Sequence, residues 1–163
     1  MRGSVMERNK ILFVCLGNIC RSPSAEAVMN GIIEKNGSGH LFEIDSAGVI
    51  GTHEGEPADA RMKKHALNRG YHLTSISRPV VPSVDFDDFD LIVAMDEQNV
   101  SDLLGMAPDE AGRNKIVKMT DYARNMGYNE VPDPYYGGYA GFQLMLDLLE
   151  DACQGLYDHL TRK

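Results

Sequence analysis

The chain has 163 residues, 43% of them hydrophobic and 25% charged, a balance that fits one globular domain with its own core and excludes a disordered or fibrous chain. Its formal net charge of -8 repels nucleic acid and anionic membrane surfaces, so an anion site must be built locally against that field. Neither nucleic acid nor membrane is an expected partner, since no apolar run approaches the roughly 20 residues of a membrane helix.

Met1 to Asn9 read as a disordered or tag-like N-terminal extension, with the domain proper running over 10–163. Lys10-Ile11-Leu12-Phe13-Val14 is a short apolar run bounded by turn formers, as expected of a strand buried on both faces. After a loop, Pro23 opens a helix running towards Asn36-Gly37. Leu41 to Ala47 forms a second strand, and Gly48 to Pro57 a glycine-rich surface loop. Asp59 to Asn68 is helical, with Gly70 stopping it. The acidic stretch Asp85 to Asp90 reads as a solvated turn before a third buried strand, Leu91 to Met95. Asp96 is placed to cap a helix through Leu103-Leu104. A short fourth strand follows at Ile116-Val117-Lys118. From Gly141 on, Phe142, Leu144, Met145, Leu148, Leu149, Ala152, Leu156 and Leu160 recur at helical spacing, giving a long amphipathic helix with an acidic outer face. Strands alternating with helices imply a parallel sheet covered on both sides, with the ligand site beyond the strands' C-terminal ends.

That is where Cys15-Leu16-Gly17-Asn18-Ile19-Cys20-Arg21-Ser22 lies. A thiol and a guanidinium stand six positions apart, between a buried strand and a helix N-terminus. If the residues between them wrap in a semicircle, their N–H groups converge on one anion, reinforced by the helix dipole. Gly17 and Asn18 suit the wrap, because glycine accepts positive φ and asparagine tolerates it. Arg21 offers a planar fork for two phosphate oxygens. Helix N-termini and neighbouring cations favour the thiolate, the nucleophilic form of cysteine, and Ser22 is placed to donate a hydrogen bond to it. Cys153, on the C-terminal helix, reads as a core residue. Three cysteines, an odd number with no secretory signal before them, point to a reducing, cytoplasmic setting. The spacings of His40, His65, His72 and His159 match no metal motif.

The run CLGNICRS over Cys15–Ser22 resembles the signature of the low-molecular-weight protein tyrosine phosphatases. Asp133-Pro134-Tyr135-Tyr136 resembles that family's general-acid loop, and Asp45-Ser46-Ala47-Gly48, Ala94-Met95-Asp96 and the closing helix are similar too. The resemblance implies a single three-layer α/β domain with a four-stranded parallel sheet of order 2-1-3-4 and helices on both faces. It also implies phosphotyrosine-containing proteins as substrates, no cofactor or metal, and a monomer or weak homodimer.

By that resemblance Cys15 is the nucleophile, Arg21 binds phosphate and stabilises the transition state, Asp133 is the general acid and base, and Ser22 holds the thiolate. Leu16, Gly17, Asn18, Ile19 and Cys20 complete the phosphate-binding loop. An acid is needed because a phenolate whose conjugate acid has a pKa near ~10 is a poor leaving group at neutral pH. Thr52, His53, Glu54, Tyr135 and Tyr136 are expected to border the substrate cleft. Relatives often carry a large aromatic in the loop of Thr52-His53-Glu54, and this chain does not. Cys20 is the expected redox partner of Cys15. Ser75 stands where some relatives carry a histidine bonded to the loop asparagine, so Ser75, together with Ser46, is expected to take over part of that bonding to Asn18.

Three other readings compete. Protein-arginine phosphatases resemble the chain but generally carry threonine at the position of Ile19. Thioredoxin-coupled arsenate reductases share the loop but need a downstream cysteine pair, and only Cys153 is available here. A catalytically silent phosphotyrosine-binding module would not need Cys15, Arg21 and Asp133 together.

Overall fold

In a computed structural model of the chain, residues 8–134 and 137–162 are described. Four parallel strands form one sheet: β1 (Asn9–Cys15), β2 (Phe42–Gly48), β3 (Leu91–Ala94) and β4 (Ile116–Lys118), in the order β2-β1-β3-β4. This is the order expected. The central strand β1 sends alternate side chains to opposite faces. Ile11, Phe13 and Cys15 join one core, and Leu12 and Val14 the other. Having a core on each side is why the strand reads as an unbroken apolar run and not as an alternating one.

The first core is closed by α1 (Arg21–Lys35), α2 (Ala60–Leu67) and α6 (Gly138–Thr161). On α6 the buried positions Phe142, Met145, Leu149, Ala152 and Leu156 follow the expected spacing, with Leu146 and Cys153 added. The helix starts at Gly138, three residues before the expected Gly141. The second core is closed by α3 (Pro82–Asp88) and α4 (Glu97–Met106), which bury Phe86 and Leu103. A four-residue helix, α5 (Glu110–Arg113), precedes β4.

Two expectations need correction. Asp85 to Asp90 is not a solvated turn: its first part belongs to α3, Phe86 and Phe89 are buried, and Asp85 is buried as well. The Asp85 carboxylate accepts from Val81 N at 2.7 Å and from Arg78 Nη1 at 3.0 Å, which offsets the cost of burying it. The second concerns Arg8 and Asn9, assigned to the N-terminal extension. Asn9 opens β1 opposite Phe42, and Arg8 Nη2 donates to Phe42 O at 2.6 Å.

Candidate active site

β1 ends at Cys15, opposite Gly48 of β2. The two strands stay joined past that point, with Val49 N donating to Cys15 O at 2.9 Å and Ile50 N to Leu16 O at 3.0 Å. A Cβ on Gly48 would stand 2.9 Å from Leu16 O and 3.0 Å from Ile50 O, so only glycine lets the chains run this close. The loop then turns at Asn18, whose φ of 57° is left-handed. Three bonds hold that turn: Asn18 Nδ2 donates to Ser22 Oγ at 2.8 Å and to Ser46 Oγ at 3.0 Å, and Oδ1 accepts from Arg78 N at 3.0 Å. They offset the cost of a non-glycine residue in this region. Gly17, expected to supply positive φ, does not. Its lack of a side chain instead makes room for the His53 ring, whose Cδ2 lies 3.1 Å from where a Cβ would sit.

Cys15 Sγ lies 3.1 Å from Ser22 Oγ and 3.4 Å from Ser22 N. The Ser22 oxygen already accepts from Asn18, so its own proton is left for the sulfur or for Ala47 O at 3.4 Å. α1 begins at Arg21 with no side-chain cap, which leaves the positive end of its dipole facing the loop. Arg21 is 4% exposed, and its Nη1 donates to Asp96 Oδ2 at 2.6 Å and to Val131 O at 3.1 Å. Burial works against the Arg21 charge, but Cys15, Asp96 and Asp133 outweigh it and hold the pKa above the ordinary value. Asp96 does cap α4, accepting from Asn99 N at 2.7 Å with Oδ1, and uses its other oxygen to anchor Arg21.

Above the sulfur opens a cleft of ≈ 270 Å³, lined by Cys15, Leu16, Gly17, Ile19, Cys20 and Arg21, with Ile50, Thr52, His53 and Asp133 around it. Asp133, exposed, thus lines the same cleft as the loop more than 110 residues earlier in the chain. Glu54 does not line this cleft, contrary to expectation: its N–H closes a turn on Gly51 O at 3.0 Å, and Glu56 is the carboxylate that meets His53 Nδ1, also at 3.0 Å. Tyr135 and Tyr136 lie outside the described residues. Burial first, then the charges of Asp59, Cys15 and Asp133, push the Cys20 thiol up to about 12.

Behind the loop, Ser46 Oγ accepts from Asn18 and donates to Glu26 Oε1 at 2.6 Å. Ser75 also bonds the Glu26 carboxyl, and burial raises the pKa of that carboxyl despite both hydroxyls. Of the two serines expected at Asn18, Ser46 therefore reaches it, while Ser75 acts one bond further back. Ile50, Asp96, Val131 and Glu26 were not anticipated from the sequence. Their part in the site depends on tertiary contacts 20 to 110 residues apart in the chain, for which a single sequence carries no local signal. Among the described residues there is no group of three or more His, Cys, Asp or Glu side chains that could hold a metal ion.

The arrangement places a cysteine sulfur, a buried cation and a helix N-terminus around one small volume, which suits a tetrahedral oxyanion. Residues 10–163 match the family described as Low molecular weight phosphotyrosine protein phosphatase. A low molecular weight protein-tyrosine-phosphatase of Streptomyces coelicolor is 44% identical, over 90% of this chain and 90% of its own. Among solved structures, the protein tyrosine phosphatase of Entamoeba histolytica superposes with a TM-score of 0.90 at 52% identity, covering 93% of this chain and 96% of that one. YfkJ from Bacillus subtilis superposes with a TM-score of 0.87 at 34% identity, covering 96% and 98%. With a match over nearly its whole length, the chain belongs to the low molecular weight phosphotyrosine protein phosphatase family.

Proposed function

We propose that this protein tyrosine phosphatase hydrolyses phosphotyrosine in two steps, with Cys15 as nucleophile and Asp133 as proton carrier. In the first step the Cys15 thiolate attacks phosphorus in line. The bond from phosphorus to the phenolic oxygen breaks, and Asp133 gives its proton to that oxygen as the tyrosine leaves. In the second, the Asp133 carboxylate takes a proton from water as the water attacks phosphorus. The P–S bond breaks, phosphate forms, and the sulfur returns to the thiolate with the Ser22 hydroxyl and amide beside it. Nη1 of Arg21 is committed to Asp96 and Val131, so the Nε–Nη2 edge is the one offered to two phosphate oxygens. Leu16 and Ile19 supply apolar contact for the phenyl ring.

The observation that carries this reading is Cys15 Sγ at the foot of the cleft, within 3.4 Å of two Ser22 donors, with Arg21 and Asp133 lining the same volume. An arsenate-reductase relay is disfavoured, because Cys153 is fully buried in α6 against Ala25 O. Cys20 is the thiol that protects Cys15. Peroxide converts the Cys15 thiolate to a sulfenic acid with release of hydroxide, and the Cys20 thiol then condenses with it to a disulfide and water. The substrates are phosphotyrosine-containing proteins in the cytoplasm, where the free thiols Cys15, Cys20 and Cys153 stay reduced. The protein acts as a monomer or weak homodimer. Among the described residues no helix is long and apolar enough to cross a membrane.

The test is hydrolysis of p-nitrophenyl phosphate and of a phosphotyrosine peptide by wild type, Cys15→Ser and Asp133→Ala. The serine variant is expected to lose all turnover and the alanine variant most of it, with wild-type activity unchanged by EDTA. Undiminished turnover by Cys15→Ser would falsify the nucleophile assignment.

A further inference from the structure

One stretch of the chain runs most strongly against its acidic balance. Residues 60–84 hold five of the 16 lysines and arginines, namely Arg61, Lys63, Lys64, Arg69 and Arg78, and none of the 24 acidic residues. The three arginines are neutralised within the fold. Arg61 meets Asp59, Arg69 meets Asp147 and Glu150, and Arg78 meets Asp45 and Asp85. Lys63 and Lys64, both exposed on α2, form no ion pair among the described residues.

These two lysines edge a groove of ≈ 320 Å³. Leu67, 56% exposed, and the buried Leu73 supply its apolar surface, and Thr74 closes it. Both walls lead back to the catalytic loop. α2 is capped by Asp59, whose N–H donates to Ile19 O at 2.8 Å, and the segment after Thr74 returns to Ser77, whose Oγ donates to Gly17 O at 3.0 Å. Lys64 stands five residues into α2 from its cap, about 8 Å along the helix axis. A substrate segment with its phosphotyrosine in the cleft therefore needs only about four to eight extended residues to lay its continuation in the groove.

We propose that this groove is a docking site for an acidic segment of the phosphoprotein substrate, carrying one apolar residue for Leu67 and Leu73 and carboxylates for Lys63 and Lys64. Charge complementarity selects the occupant, since an acidic chain is otherwise repelled by a protein of net charge -8. The proposal rests on the reading of the cleft as the phosphotyrosine site and adds a second point of contact to it. Two contacts on one substrate lower KM without changing the chemical step, because the groove holds ground state and transition state alike.

The experiment compares phosphotyrosine peptides with one shared core, carrying either a neutral segment or an Asp-Glu-Leu segment about four to eight residues away, placed before or after the phosphotyrosine. In at least one direction the acidic segment is expected to lower KM by about three- to tenfold with kcat unchanged. That gain should vanish in the Lys63→Glu/Lys64→Glu double variant and in high salt, and shrink in Leu67→Asp, while p-nitrophenyl phosphate is turned over normally by every variant. No gain in either direction, or a gain that persists in the double variant, overturns the docking site. Failure of wild type to hydrolyse p-nitrophenyl phosphate would overturn the catalytic reading instead.

Discussion

The two segments that meet at the cleft are held in different ways. The loop from Cys15 to Ser22 is buried beneath its surface, and the side chains of Asn18, Ser22 and Arg21 all bond inward to neighbouring elements. Residues 123–134, which bring Asp133, contain almost no regular structure and are fastened at points. Thr120 Oγ1 donates to Asn129 O at 2.8 Å, Val131 N to Met95 O at 2.8 Å, and Asp151 of α6 accepts from the amides of Arg124, Asn125 and Met126. The two segments are joined directly where Arg21 Nη1 donates to Val131 O. In the proposed mechanism the nucleophile must be fixed before the substrate arrives, whereas the proton carrier must serve a leaving group in one step and water in the next, and an exposed position suits it.

Variants that break each side should therefore fail differently. Asp133→Ala is expected to lower kcat on p-nitrophenyl phosphate by about 10²–10⁴-fold. The loss should be smaller on an aryl phosphate whose phenol is more acidic, because that leaving group needs less protonation. Equal losses on both would place the acid elsewhere. Arg21→Lys keeps the charge but loses the planar fork and the shared anchor to Asp96 and Val131, and should cost about 10²–10³-fold in kcat. Wild-type kinetics in that variant would show that the bidentate edge is not used.

Ser46→Ala removes the hydroxyl between Asn18 and Glu26 and leaves buried polar groups short of partners, at about 1–3 kcal/mol. Its signature is a loss of thermal stability together with a lower kcat at unchanged KM, since the substrate does not touch Ser46. A stable variant with full kcat would separate this network from the loop's geometry.

Asp151→Asn tests the other side. Burial pushes the Asp151 carboxyl up, but the amides of Met126, Asn125 and Arg124 outweigh it and hold its pKa below the ordinary value. A carboxylate with a lowered folded pKa stabilises the fold above its unfolded pKa of about 4, and the contribution disappears as pH falls through the folded value. The asparagine variant should thus be less stable than wild type at neutral pH, by about 1–2 kcal/mol, and the gap should close in acid. A gap independent of pH would mean that the charge of Asp151 is not what fastens residues 124–126.

The smallest effect concerns Cys20. With its pKa at about 12, it is a thiol at neutral pH, so iodoacetate should alkylate Cys15 and leave Cys20 unmodified. Modification of Cys20 first, read by peptide mapping, would contradict the raised pKa of its thiol.

The contrast between the segments also explains what could be read from the sequence. The loop is continuous in the chain, so Cys15, Arg21 and Ser22 carry their spacing with them, and β1 and α1 flank it as the apolar run and Pro23 suggested. The buried periodicity of α6 was legible for the same reason. Asp96 was readable as a helix cap but not as the anchor of Arg21, because the second bond spans 75 residues. Asp85 misled because acidic runs are usually solvated, and here Arg78 and the Val81 amide compensate for its burial. The purpose of Gly17 lay in the approach of the His53 ring, which no dihedral preference could announce.

The central claim is that phosphate passes through the Cys15 sulfur. Acid quenching of Asp133→Ala during turnover of p-nitrophenyl phosphate, followed by mass spectrometry of the peptide spanning Cys15–Ser22, should find one phosphoryl group on Cys15 and none in Cys15→Ser. A phosphoryl group on another residue, or burst-free turnover that survives in Cys15→Ser, would contradict the account.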